Sequence, residues 1–103
     1  MALPALSQQQ RAEALEKATI ARRRRAEIKT GLKKREYKVS EVLELGVSDE
    51  AIAKMRVKVL LESLPRVGPQ RASQLMDELG IAETRRVRGL GPLQRRALVE
   101  RFG

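Results

Sequence analysis

The run Val67-Gly68-Pro69-Gln70-Arg71 carries the first residues with a chemistry of their own. A glycine ahead of a proline that opens a helix leaves the first backbone N–H groups of that helix turned outward. Together with the helix dipole, those groups bind a phosphate oxygen without reading any base. Gln70 and Arg71 fall in the first helical turn, where a side-chain amide and a guanidinium reach the same anion. Arg71 opposes the dipole at that end, and a bound anion relieves the conflict. A second constellation is Arg85, Arg86 and Arg88 beside Gly89, read as a flexible position. Three guanidiniums within four residues repel one another, and a row of phosphates or a narrow minor groove relieves that cost. Arginine suits either role because it is permanently charged and bonds through two parallel N–H groups. A third knot, Lys33-Lys34-Arg35, is placed at the end of a long helix. There positive charge also suits the dipole, so a solvated helix end explains it equally well.

The remaining composition narrows the chemistry. In 103 residues there are 22 Lys or Arg against 13 Asp or Glu, a net charge of +9, with no His and no Cys. The usual general base, thiol nucleophile and soft metal ligands are missing, so an enzyme, a bound metal or a cofactor is not expected. The net charge is +7 over residues 1–35, −2 over 36–64 and +4 over 65–103. Two basic ends flank a weakly acidic middle, so a polyanion can be touched in two places if the ends fold toward it. Tyr37 and Phe102 are the sole aromatics, too few and too far apart in sequence for base stacking, which favours a duplex backbone over single strands. No apolar run approaches the roughly 18 residues of a membrane span. The start Met1-Ala2-Leu3-Pro4-Ala5-Leu6-Ser7 lacks the basic and apolar stretches of a secretory signal, so a cytoplasmic location is expected.

These residues must be positioned by helices. Ser7 with Gln10 forms a capping-box pattern, and helix formers then run to about Lys34. Ala14, Ala18, Ala21, Arg25, Ile28 and Leu32 mark one stripe, properly apolar only at its end, so the C-terminal half docks and the N-terminal half projects. Arg22-Arg23-Arg24-Arg25 ring this helix, since each advances about 100°. Residues 38–65 read as short helices broken at Gly46, with Ser40 and Ser48 as N-caps and Val42, Leu43, Ile52, Met55, Val57, Leu60, Leu61 and Leu64 as core. Val57-Lys58-Val59-Leu60-Leu61 mimics a strand, but its apolar positions continue at helical spacing to Leu64. The last 38 residues repeat at an offset of 23: Val67-Gly68-Pro69 matches Leu90-Gly91-Pro92, and Leu79-Gly80 matches Phe102-Gly103. In the first copy Ala72, Leu75, Met76 and Leu79 form the buried face and Gly80 the stop.

The segment from Leu64 to Met76 resembles the helix-hairpin-helix class, and Leu79 to Leu90 is similar to the helix-two-turn-helix variant of a small-subunit ribosomal protein and some DNA glycosylases. Arg66 stands where the hairpin pattern favours glycine, and a side chain there resists positive φ, which places the chain with the two-turn variant. Over its whole length, including Met1-Ala2-Leu3-Pro4 and Arg85 to Gly91, the chain resembles the actinobacterial integration host factor family. The resemblance implies a nucleoid-associated protein that binds and bends duplex DNA with little sequence preference and affects recombination, topology and chromosome organisation.

The expectation is therefore an all-α chain of one domain, with a long basic helix over 1–35 on a helical body over 36–103 that holds the two-turn motif at about 57–103. Double-stranded DNA is the expected partner of a monomer. Arg66, Val67, Gly68, Gln70 and Arg71, then Arg85, Arg86, Arg88 and Gly89, then Lys33, Lys34 and Arg35 are the expected contacts, and the basic N-terminal half is expected to hold a second DNA segment or duplex. A ribosomal or structured-RNA partner is the first alternative. A membrane surface is the second, weakened by the poor insertion face of the basic helix.

Overall fold

A computed structural model describes residues 7–103; the Met1-Ala2-Leu3-Pro4 start that enters the resemblance lies outside the described residues. The order is α1 (Gln8–Lys33), α2 (Val39–Leu45), α3 (Glu50–Ala53), α4 (Val57–Glu62), α5 (Pro69–Leu79), a 3₁₀ turn (Val87–Gly89) and α6 (Pro92–Phe102). Among the described residues there is no strand, only an isolated antiparallel bridge between Arg56 and Arg86. The long helix starts at the Ser7–Gln10 capping box, whose two hydrogen bonds are 3.1 and 2.9 Å. Residues 7–20 are all exposed, whereas Ile28, Gly31 and Leu32 are buried, so only the C-terminal half of α1 docks.

One aliphatic core is built from Ile28 and Leu32 of α1, Val42 and Leu43 of α2, Ile52, Leu60 and Leu61, and Leu75 and Met76 of α5. The strand-like stretch at 57–61 is helical, with Val57, Leu60 and Leu61 fully buried. Two expected caps are not used. Ser40 lies inside α2, whose N-cap is Lys38, and the N–H of Ser40 donates to the carbonyl of Gly103. Asp49, not Ser48, caps α3: its Oδ1 accepts from the N–H of Ala51 at 3.0 Å and of Ile52 at 3.5 Å. Asp49 wins because its second oxygen simultaneously holds Arg24 of α1, at 2.7 Å, which a serine cannot do.

That ion pair fastens α1 to α3. Burial works against the charge on Asp49, yet the Arg24 bond and the two backbone N–H groups outweigh it and hold the carboxyl below its ordinary value. A depressed folded pKa means stability that is fully present above the unfolded value near 4 and lost as pH falls through the folded value. Asp49→Ala is therefore expected to cost about 2 kcal/mol at neutral pH, from one cap and one charge-assisted bond. Denaturant melts of both proteins between pH 7 and pH 2 check it: the gap narrows only below pH 4.

Gly31 is needed for space. A Cβ there would overlap the Cδ2–Cε2 edge of the Tyr37 ring, which lies against the last turn of α1. Gly31→Ala is expected to lower stability by about 1–3 kcal/mol through overpacking, with part regained on adding Tyr37→Leu, as a thermal melt of the two variants would show.

The two copies of the internal repeat share a frame. Each helix has 11 residues, an N-cap glycine (Gly68, Gly91) and Pro at its first position. Their faces differ: α5 buries Ala72, Leu75 and Met76, whereas α6 buries only Leu98. At the place of Ala72 the second copy has Arg95, whose guanidinium reaches the carbonyls of Leu43 at 3.4 Å and Val87 at 3.3 Å. Arg95 is thus a clip between α2 and the 3₁₀ turn. Leu79 is half-buried and Gly80 stops α5 at φ 67°.

Candidate nucleic-acid interface

Pro65 and Arg66 form the middle of a four-residue turn closed by the N–H of Val67 on the carbonyl of Leu64, at 3.2 Å. Arg66 has φ 65°, correcting the sequence argument against a positive φ. Proline at the second position and a left-handed residue at the third is the type II pattern, and the turn imposes it at a cost of about 1–2 kcal/mol. Arg35 is the other non-glycine residue at positive φ among those described. It ends α1 as the left-handed residue of a Schellman motif, with Glu36 N–H on the Gly31 carbonyl at 2.8 Å and Arg35 N–H on that of Leu32 at 3.2 Å. Both strained arginines are candidate contact residues, a placement that strain at binding sites favours.

Gly68 follows in extended conformation, φ −92° and ψ 179°, with no side-chain cap on the amides of α5. Gly68, Pro69, Gln70 and Arg71 are exposed, Val67 is half-buried, and a Cβ on Gly68 would meet nothing within 4 Å. Neither conformation nor crowding calls for glycine here. The open space lies at the uncapped start of an 11-residue helix, whose first N–H groups have no side-chain acceptor. Arg71 is held along α5 by Gln74 at 3.4 Å and Glu78 at 3.8 Å, and Glu78 also takes Arg101 at 3.0 Å. Arg71 and Arg101 thereby meet at Glu78, near the C-terminal end of α5.

The second constellation is built around the bridge. The N–H of Val57 donates to the carbonyl of Arg85 and that of Val87 to Met55, both at 2.9 Å. Val87, fully buried, anchors the loop. Arg56 and Arg86 are therefore the directly opposed pair that does not exchange hydrogen bonds, the closest cross-strand spacing, where like charges destabilise. Arg56, Arg85, Arg86 and Arg88 are exposed, and among the described residues none of the four has an ion-pair partner within 4.0 Å. The guanidinium of Arg85 folds back on the carbonyl of Gly89 at 3.0 Å. Gly89 is not a flexible spacer: it closes the 3₁₀ turn, and the Arg85 side chain lies 3.0 Å from where its Cβ would be. Arg56 was not singled out by sequence reasoning. Its signal was weak, an exposed residue just before a helix whose partner is 30 positions away.

Lys33, Lys34 and Arg35 are all exposed at the last turn and cap of α1. Arg35 lines a hollow together with Lys38, Pro65, Val67 and Arg101, so this knot adjoins the turn. Tyr37 and Phe102, remote in sequence, line the same hollow, and both are partly buried against the core.

A family model described as S13-like H2TH domain matches residues 32–102. The integration host factor of Mycobacterium tuberculosis is 55% identical over 103 residues, covering all of this chain and 98% of its own. That of Streptomyces coelicolor is 54% identical over 103 residues, covering all of this chain and 96% of its own. A solved structure, that of sIHF bound to an 8bp palindromic DNA, superposes with a TM-score of 0.83 at 52% identity, over 85% of this chain and 99% of that one.

Proposed function

The chain belongs to the integration host factors built on the S13-like H2TH domain, and on that footing we propose that it binds duplex DNA as a nucleoid-associated protein in the cytoplasm. The observation that carries the reading is the set of exposed arginines at 56, 85, 86 and 88, which have no ion-pair partner within 4.0 Å among the described residues, on a fold that a relative uses with DNA bound. A polyanion relieves both their repulsion and the strain of opposing Arg56 to Arg86. The uncapped amides at Gly68 with Arg66, Val67, Gln70 and Arg71 grip a second stretch of backbone, and Lys33, Lys34 and Arg35 adjoin it. Most of these contacts go to phosphates, so sequence preference is weak. Of Arg85, Arg86 and Arg88, which the reading assigns to a groove or to phosphates, Arg85 bonds the Gly89 carbonyl, so Arg86 and Arg88 are the two we assign to a minor groove.

The two grips lie at opposite ends of α4, with Arg56 at its N-cap and the turn after its C-cap Ser63. Six residues of α4 span only about 9 Å, so the two grips hold one side of a bend. A bend of 20–30 base pairs costs on the order of 1–6 kcal/mol and needs contacts on both sides, and the basic N-terminal half supplies the other side. A monomer suffices for that. Bent DNA is the form in which such a protein acts on recombination, topology and chromosome organisation.

The test is a titration with matched duplex DNA, duplex RNA and single-stranded DNA at two salt concentrations. Tight, salt-dependent preference for duplex DNA is expected. Equal or better binding to duplex RNA would favour the structured-RNA partner that an S13-like motif also fits, and binding to none of the three would overturn the reading.

A further inference from the structure

Arg22, Arg25, Lys29 and Lys33 recur at spacings of three, four and four residues, which places them along one face of α1. This basic stripe flanks the buried stripe of Ile28 and Leu32 and follows the seam where α1 meets the body. At one end, Arg22, Arg25 and Lys29 line a groove whose other wall carries Lys54, Arg56 and Arg86, with Met55 and Val59 at its base and no carboxylate. Further along, Lys29, Lys33 and Lys34 face Val59, Glu62 and Ser63 of α4 and its cap, and Glu62 is the one acid there. The seam then reaches the hollow of Arg35 beside Pro65 and Val67.

The structure also sorts the four consecutive arginines. Arg24 is committed to Asp49 and Glu27, at 2.7 and 3.3 Å. Arg23 faces a different hollow, with Glu27 and Glu36. Arg22 and Arg25 are the two left on the seam, and no carboxylate pairs with them, Lys29 or Lys33 among the described residues.

We infer that this stripe is a track for one DNA backbone, which joins the arginine knot at Arg86 to the hairpin turn at Arg66, so that both grips hold a single continuous duplex. The inference rests on the duplex-DNA reading above and adds how the two grips share their ligand. The 11 residues from Arg22 to Lys33 rise about 16 Å; a strand winds round the duplex, so its consecutive phosphates lie about twice as far apart as their axial advance of about 3.4 Å, and about three phosphates run beside the four cations.

The experiment is the salt dependence of binding to random-sequence duplex DNA, with the site size measured on a long duplex. The variant is Arg22→Gln, Arg25→Gln, Lys29→Gln and Lys33→Gln together. The control is Lys58→Gln with Arg96→Gln, which removes charge from α4 and α6 at positions outside the stripe and both grips. A thermal melt first establishes that each variant is folded. About three lost phosphate contacts lower the slope of log affinity against log salt by about 2.7, at 0.9 per contact, and shorten the site, while the control changes the slope by less than one. A slope within one of wild type in the stripe variant, or an equal fall in the control, overturns the track and leaves the two grips as separate sites. If wild type itself shows no salt-dependent duplex binding, the DNA reading falls, a result distinct from either of these.

Discussion

Arg85→Ala with Arg86→Ala and Arg88→Ala is expected to weaken binding to every duplex sequence by on the order of a thousandfold at low salt, without unfolding the protein. The magnitude follows from three charge-assisted contacts at about 1.5 kcal/mol each. Folding is spared because what Arg85 and Arg86 contribute to the body is backbone: the Arg85 carbonyl accepts from Val57, and the bridge is closed through Val87 and Met55. Removing Arg86 also ends its opposition to Arg56, so the melting temperature holds or rises. Only the Arg85 bond to the Gly89 carbonyl is lost, at an exposed site. Three lost phosphate contacts lower the salt slope by about 2.7, and fluorescence anisotropy at four salt concentrations reads both numbers. A loss confined to one sequence would mean base readout instead. Unchanged affinity would show that this cluster does not carry the binding. Arg56→Ala, tested alone, is expected to act in the same direction with a loss of about tenfold, one contact of about 1.5 kcal/mol.

How much of this was legible in the sequence depends on how local each signal is. The start of α1 at Ser7, the helical reading of 57–61, the buried face of α5 and the stop at Gly80 all rest on neighbours within four positions, and the structure has each of them. The candidate contacts at Gly68 and Arg71 were visible for the same reason. What sequence reasoning missed is long-range. Asp49 displaces Ser48 as a cap because its second oxygen meets Arg24, 25 positions earlier. Arg56 joins the candidate interface only through a bridge to Arg86, and Arg95 is consumed inside the fold by carbonyls as far off as Leu43. The φ of Arg66 was misjudged because a local preference of about 1–2 kcal/mol was weighed without the turn that overrides it. Counting charges likewise gave the sign of the partner, but pairing decides which cations are free to meet it. Arg24 is spent on α3, while Arg22 beside it is not.

Gly68→Asp separates folding from binding more sharply than a truncation does, because its two expected effects have opposite signs. The residue is the N-cap of α5, its backbone is extended, and no side-chain cap is present. Aspartate is a better N-cap than glycine by a few tenths of a kcal/mol, and its charge suits the helix N-terminus, so the melting temperature is expected to rise slightly. A Cβ here meets nothing within 4 Å, so no clash offsets that gain. Binding moves the other way. The new carboxylate accepts the N–H groups of the first turn that the phosphate is proposed to use, and it places a negative charge in the space the phosphate would fill. Two charges about 4 Å apart at an effective dielectric of 20 repel by about 4 kcal/mol, which screening reduces, so a loss on the order of a hundredfold is expected. Gly68→Ala, with no charge, is expected to keep stability within about 1 kcal/mol and to lose less affinity. Parallel melts and titrations of both variants decide the matter. If Gly68→Asp binds duplex DNA as wild type does, the amides of α5 do not hold a phosphate, and the turn serves the fold alone.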